Sequence, residues 1–505
     1  MGVISKFRLE IGIFLLLSIT YFISRLTFLT GNPIFTDEAI YLRWAQIAVQ
    51  DPAWTFISLT DGKQPLFIWL VMPLLEVFQD PLLAGRIVSV MGGFFSMLGL
   101  AVLSYVLFKN RVISILSAFL YLIYPMAYVY DRIAIYDGIV GTFYIYGLLL
   151  SVLLIKLRRL DIALLFGFMV GGGLLLKTNL LFSLYLLPFT MLLFEWKEKG
   201  RKQRLLKLSG LVILSVVIAF VIESLLRLSP YYYIIGEKNA VFVLPVREWL
   251  SQPFLFVFGN LRGLLGWFFE YFNIATLLLV LGSLVVVKSQ FREKIVLLLF
   301  FLVPFMAFAV FGKVIYPRHI FFMTLPLLPL VAFSLYYLVL RISKPIVKGI
   351  VFIALLLPML LTTVSVIQDY KTSAIPGTDK QQYITSWPSG GGVRESVAFF
   401  EKEAQKGPIF IATQGELGLL PYALEIYLDK TENITLDGYW PINEAMPVDI
   451  VTKSEAMPTF VVFYQPCPSC KTAGIAPLSW PLEIISQYKN FDGTFYTVYK
   501  VKGKE

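Results

Sequence analysis

Histidine and cysteine are nearly missing from this sequence of 505 residues: there is one histidine, His319, and two cysteines, Cys467 and Cys470. A lone imidazole with no cysteine beside it makes a poor zinc centre, so no metal site is expected. Two cysteines exclude a disulfide framework. Both stand in the polar C-terminal part, as Cys467-Pro-Ser-Cys470. The pair reads as a disulfide stapling a loop on the outer side; zinc would need two further ligands, and the strand–CxxC–helix setting of a redox motif is weak. Charge is scarce as well, at 15% of residues against 57% hydrophobic, which rules out one large soluble core. The formal charge of +10 lies mostly in short clusters between apolar runs. No Arg/Lys stripe is interleaved with stacking aromatics, so nucleic acid is not an expected partner. No small-residue cleavage site follows Leu29, and residues 7–29 are expected to remain as an anchor. No internal repeat is visible at solenoid period.

What the chain does have is apolar runs of membrane length. Lys6 and Arg8 precede the first, which places the N-terminus in the cytoplasm. The topology then turns on residues 65–78, an apolar stretch shorter than the ~20 residues a spanning helix needs. If it crosses, the clusters Lys109/Arg111, Lys156/Arg158/Arg159 and residues 197–207 all lie outside. If it lies flat in the outer interface, all of them lie inside, together with Lys288/Arg292/Lys294 and Arg341/Lys344/Lys348. The positive-inside rule selects the second arrangement at every loop. About eleven spans follow: 9–29, 85–108, 112–130, 138–155, 161–176, 179–194, 208–227, 265–287, 295–311, 319–340 and 349–367. Residues 1–367 thus read as a polytopic α-helical membrane domain with outer loops at 30–84 and 228–263, and interfacial helices within them.

That topology gathers Asp37, Glu38, Lys63, Arg132, Asp137, Lys177, Lys313, Arg318 and His319 on the outer side, at span ends or in loops. Each has a plain structural explanation. Asp37 and Glu38 open a helix over residues 37–50, with a Tyr41/Trp44/Ala45/Ala48 stripe, and acids there complement the helix dipole. Asp137 opens a span and has the same reading, with Arg132 the natural partner of Asp131 or Asp137. Lys177 can snorkel from a helix end, and Lys313 and Arg318 can anchor an interface. Together, however, cations on the outer face run against the usual bias, and Lys63, Lys177, Lys313 and Arg318 suit a grip on a phosphate or pyrophosphate at the membrane surface. A divalent cation at Asp37/Glu38 is possible by residue type, but the spacing does not call for one.

After residue 367 the composition turns polar and mixed. Residues 368–392, which include WPSGGG, read as a linker, and 393–505 as a small extracytoplasmic α/β domain. Helices are expected at 393–405 and 416–427, and strands at 408–413, 434–437, 459–464 and 494–501.

Taken in order, TDEAIYLRWA, GKQPLFIWL, Arg132 with Asp137, a Lys after the Gly-rich stretch GGGLLLKTN, and YPRH resemble the GT-C superfamily of membrane glycosyltransferases. Within it the chain resembles the branch of protein O-mannosyltransferases and lipid A aminoarabinose transferases, over about residues 7–340. The resemblance implies a hexosyl- or pentosyltransferase that takes its sugar from a polyprenyl-phosphate donor. The acceptor would be a lipid, glycan or protein on the outer face, the transfer would invert the anomeric centre, and no cofactor is required. Asp37 falls on the family's proposed base, with Glu38 and Asp137 in the catalytic set. Lys63, Arg132, Lys177, Lys313 and Arg318 fall to the carrier phosphate, with Tyr316 and His319 as possible site residues. The sequence departs from the family in having Lys63-Gln64-Pro65 for Lys-Pro-Pro, Gly62 in place of an acid directly before Lys63, and YPRH for Pro-Arg-Tyr. Two other functions compete. A lipid or sugar transporter needs ionisable groups at mid-bilayer depth and repeated halves; the span interiors here carry few such groups, Glu223 and Glu270 lie nearer the outer ends, and no repeat is evident. A sensor or scaffold leaves the outer-face acids and cations without a purpose.

Overall fold

The computed structural model describes residues 8–286, 288–465 and 479–502. Cys467 and Cys470 lie outside the described residues. The chain divides into two compact units. The first comprises Met1–Thr27, Thr55–Phe67 and Ile87–Pro376, and the second Phe28–Trp54, Ile68–Arg86 and Gly377–Glu505.

The first unit is that of a multi-pass membrane protein. Among the described residues seven helices are long and apolar enough to cross a bilayer: Arg8–Leu26, Pro81–Phe108, Tyr136–Leu157, Arg201–Leu228, Phe291–Phe311, Pro317–Leu340 and Pro345–Gln368. Pro81–Phe108, Tyr136–Leu157 and Pro317–Leu340 bury most of their length, whereas the first and last leave most of theirs for lipid. The remaining expected spans are present as shorter or broken apolar helices. Residues 112–130 divide into Arg111–Ile123 and Pro125–Tyr130. The cause is Pro125, which holds Tyr124 in an extended conformation. Leu160–Leu174 is a 15-residue helix, and Thr178–Leu193 alternates tight and regular turns. Residues 265–287 are not one straight span: Val257–Phe272 and Ile274–Val286 meet at Asn273, with a bend of 94°. Asn273 adopts a left-handed φ of 52°, and its side chain accepts from the backbone N–H and hydroxyl of Thr276, starting a new helix at that point. Leu66–Val77 has 12 residues and so runs only about 18 Å, too short for the ~30 Å hydrocarbon core.

A buried polar knot ties the first helix to the segment after Tyr130. Arg25 Nε lies 3.3 Å from Asp131 Oδ2, and both side chains are almost wholly buried. Tyr21 and Tyr121 donate to the same carboxylate at 3.1 and 2.9 Å, and Arg25 also donates to the Leu122 carbonyl at 3.0 Å. A carboxylate and a guanidinium in apolar surroundings are tolerable only when so paired.

The second unit carries a five-stranded sheet in the order β2-β1-β3-β5-β4. The strands are β1 (Ile409–Gln414), β2 (Ile434–Tyr439), β3 (Thr459–Gln465), β4 (Leu482–Lys489) and β5 (Phe495–Val501). β1 pairs in parallel with β2 and β3, while β5 runs antiparallel to β3 and β4. Phe410, Val461, Phe463, Trp480 and Tyr499 belong to its core. The expected helices appear as Val393–Ala404 and Leu419–Leu428. β4 and the helix Val448–Ala456 had no clear pattern in the sequence. β4 is an edge strand, largely exposed and interrupted by an irregularity between Ile484 and Ser486. Part of the expected linker is structured: Gly377–Lys380, Gln381–Thr385 and Trp387–Ser389 form successive helical turns.

Removing one partner of the buried knot should cost far more than breaking an exposed pair. Asp131→Leu is expected to destabilise the protein by about 3–5 kcal/mol. Arg111→Gln, which breaks the half-exposed pair with Glu10, should cost about 1 kcal/mol or less. Thermal unfolding of the purified protein in detergent checks the ordering, and equal midpoints for the two variants would contradict it.

Candidate functional site

Asp37 and Glu38 lie in the second unit, at the start of the helix Thr36–Gln50. The two acids have different environments. Glu38 is fully buried, and its carboxylate accepts two hydrogen bonds from Arg86, both at 2.8 Å, and one from the backbone N–H of Phe35 at 2.9 Å. Arg86 extends further to the carbonyls of Leu29, Asn32 and Pro33. Glu38 therefore holds the turn that presents Asp37, while Asp37 itself is half-buried. The stripe Tyr41, Trp44, Ala45 and Ala48 is buried, as its spacing implied.

The other expected site residues belong to the first unit, where all but Arg132 and Lys313 form three groups. In one, Lys177 Nζ meets Asp137 Oδ1 at 2.8 Å. Asp137 is in the first turn of Tyr136–Leu157 and Lys177 directly precedes the tight turn Thr178–Leu181. In the next, Asp61 sits between two lysines, 3.4 Å from Lys63 and 2.5 Å from Lys238. Gly62 makes this possible: its φ of +66° turns the chain sharply, and a Cβ there would lie 2.6 Å from Lys238 Cβ and 2.7 Å from the Ile234 carbonyl. In the last, the Arg318 guanidinium lies over the Tyr316 ring at 5.1 Å, and His319 Nδ1 accepts from the Tyr316 N–H at 3.3 Å. His319 is buried, with Phe242 and Phe308 near its ring. Lys313 Nζ lies 3.2 Å from the Glu248 carboxylate and donates to the Ala240 carbonyl at 3.2 Å, on the helix that carries Lys238 and Asn239.

The expected pairing of Arg132 with Asp131 or Asp137 is replaced by other partners for both acids. Asp131 takes Arg25 and Asp137 takes Lys177, while Arg132 donates to the carbonyls of Ser24, Arg25 and Thr27 and so caps the end of the first helix.

Two of the groups are joined. Gln64, next to Lys63, donates to the hydroxyl of Thr178, next to Lys177, at 2.8 Å. Asn239, next to Lys238, reaches the same hydroxyl at 3.4 Å. The Gln64 carbonyl also accepts from the Tyr136 hydroxyl at 2.9 Å, one residue before Asp137. Gln64, Thr178 and Asn239 line a cavity of about 330 Å³, whose other lining is mainly apolar and aromatic, including Phe220, Leu226 and Tyr232, with Glu223 as its one charged side chain among the described residues. Lys63, Lys177, Lys238 and Asp137 thus each stand one residue away from a side chain that knits this region together, and Asp61 stands three residues from Gln64. Asp61, Lys238 and Arg86 were not singled out from sequence as site residues. Of these only Asp61 left a trace there, as an acid two residues before Lys63. Among the described residues no three His, Cys, Asp or Glu side chains form a metal-ligating group.

Gly62→Ala should strain the Asp61–Lys63 turn. A cost of about 1–3 kcal/mol is expected, against little change for Gly236→Ala, where a Cβ meets nothing within 4 Å. Thermal unfolding of both variants reads the difference, and a harmless Gly62→Ala would contradict the described turn.

Residues 62–222 match the family model for dolichyl-phosphate-mannose-protein mannosyltransferase. Among solved structures the chain is similar to ArnT from Cupriavidus metallidurans in its apo state and bound to undecaprenyl phosphate. Each has a TM-score of 0.57 and 14% identity, covering 99% of this chain and 98% of that one. It is also similar to the Archaeoglobus fulgidus oligosaccharyltransferase, with a TM-score of 0.49 and 10% identity over 89% of this chain and 67% of that one. No curated protein matches the sequence. The chain follows the backbone of ArnT along almost its whole length and so has the fold of that membrane protein, and residues 62–222 carry the match to the mannosyltransferase family model.

Proposed function

We propose that this protein transfers a hexose or pentose from a polyprenyl-phosphate donor to a lipid, glycan or protein acceptor on the outer face of the cytoplasmic membrane. In this reading the N-terminus is cytoplasmic and residues 393–505 are extracytoplasmic. The observation that carries it is the Gln64–Thr178 hydrogen bond, which joins the Lys63 and Lys177 turns at one largely apolar cavity. A polyprenyl-phosphate sugar needs such a combination: cations for its phosphate and apolar surface for its chain. The signature across residues 62–222 supports the reading. So does ArnT, a protein of the same fold, which has been solved with undecaprenyl phosphate bound.

The chemistry divides charge between two ends. Asp37 takes the proton from the acceptor's nucleophile as that atom bonds to the anomeric carbon. The bond from the anomeric carbon to the phosphate oxygen breaks on the opposite face, its electron pair leaves with the polyprenyl phosphate, and the configuration inverts. Lys63, Lys177 and Arg318 are the proposed ligands of the departing phosphate, and Lys238 joins them through its shared partner Asp61. Asp137 holds Lys177 in place, and Tyr316 supports the Arg318 guanidinium. Glu38 is assigned a positioning role, because its carboxylate is already engaged by Arg86. No resident cofactor enters this scheme.

Asp37→Asn keeps the side chain's size while removing its basicity. It is expected to lower transfer by about 10²–10⁴-fold while leaving binding of the polyprenyl-phosphate sugar within a few fold. Lys177→Met should instead weaken donor binding. Product formation by mass spectrometry and binding of labelled donor separate the two effects. Full transfer by Asp37→Asn would remove Asp37 as the base.

A further inference from the structure

The helix that carries Asp37 is clasped by the α/β domain of its own unit. Positions 43, 46 and 50 recur at helical spacing on one face of Thr36–Gln50, and that face meets the helix Leu419–Leu428 and the residue after it. Arg43 Nε lies 2.5 Å from Glu425 Oε2, and its NH2 donates to Asp429 Oδ1 at 3.0 Å. Gln46 donates to the Ile426 carbonyl and Gln50 to Asp429 Oδ2, both at 2.9 Å. The Arg43 side chain is only 12% exposed, so its fork spans two carboxylates largely out of water, where such contacts are stronger than at an open surface. The Arg43 contact holds the Asp429 carboxyl below its usual range, whereas burial pushes Glu425 up.

The other end of the helix is held too. The Thr36 hydroxyl donates to the Pro388 carbonyl at 3.1 Å, and Phe35 packs edge-on against Tyr383 at 4.9 Å. Gly390, at φ +59°, approaches so closely that a Cβ would lie 2.5 Å from the Ile34 carbonyl. Asp37 is thus bracketed in sequence by Thr36, fixed to the turn at Pro388, and Glu38, fixed to Arg86.

We propose that the α/β domain is a positioning element for Asp37, with Arg43, Glu425 and Asp429 as the residues through which it acts. None of them is proposed to touch substrate. A domain that only recruited acceptors would need no charged clamp on this helix. The inference rests on the reading of Asp37 as the base, and the test keeps the two apart.

The experiment compares full-length Arg43→Met and the charge exchange Arg43→Glu/Glu425→Arg with the parent and with Asp37→Asn. Three quantities are read: kcat for transfer, KM for the polyprenyl-phosphate sugar, and amide hydrogen exchange across residues 36–50. Arg43→Met is expected to lower kcat at least tenfold with donor KM within threefold, and to speed exchange in that segment at least tenfold. The exchanged pair should restore at least a third of the parent kcat and slow exchange again. Unchanged exchange at 36–50 in Arg43→Met, or accelerated exchange with unchanged kcat, overturns the proposal. Failure of the charge exchange to recover either quantity, with the protein still folded by its thermal midpoint, overturns it as well. Failure of the base assignment looks different: Asp37→Asn stays active, whatever the Arg43 variants do.

Discussion

A carboxylate removed from water must have a cation and hydrogen-bond donors, and the burial of Glu38 makes that demand at the start of the helix Thr36–Gln50. Arg86 answers it with two 2.8 Å bonds and spends its remaining donors on the carbonyls of Leu29, Asn32 and Pro33. The loop leading into the helix and the helix itself are thereby pinned to one guanidinium. Breaking such a pair leaves an uncompensated buried charge, at a cost of about 3–5 kcal/mol. That penalty fixes the approach to Asp37, the half-buried neighbour that has the chemistry to act as a base.

The same logic recurs through the first unit. Arg25 with Asp131 fixes the first span to the break after Tyr130. Asp137 with Lys177 joins the start of one span to the turn that follows another. Asp61 gathers Lys63 and Lys238, so that a single acid orders two cations that would otherwise repel. In the first two cases a charge pair joins the ends of apolar helices. Cations anchored this way are preorganised, as the proposed stabilisation of a departing phosphate requires.

Much of the architecture was legible because apolar length and alternation are local properties. The expected apolar segments recur as helices, the Tyr41/Trp44/Ala45/Ala48 stripe is buried, and four of the five strands lie where β-branched and aromatic runs placed them. The misses are non-local. Nothing near Glu38 in sequence announces Arg86, and nothing near Arg43 announces Glu425, which stands 382 residues away. The 94° bend at Asn273 depends on one side chain capping a helix inside an apolar run. The Gly/Pro composition of residues 368–392 suggested a linker, yet Gly390 is there because the Ile34 carbonyl leaves no room for a Cβ. Lys238, in a polar loop, resembled any surface lysine until Gly62 brought its helix against Asp61.

In the proposed reaction a sugar leaves a polyprenyl phosphate and becomes bonded to an acceptor. The most direct measurement incubates the purified protein with defined polyprenyl-phosphate sugars and a panel of lipid, glycan and peptide acceptors, then follows both substrates by mass spectrometry and the new linkage by NMR. The expected result is one acceptor gaining the mass of a single sugar, an equal amount of free polyprenyl phosphate, and an inverted anomeric configuration. Donor left intact across the panel, or donor moved across vesicle membranes with its sugar still attached, would contradict it.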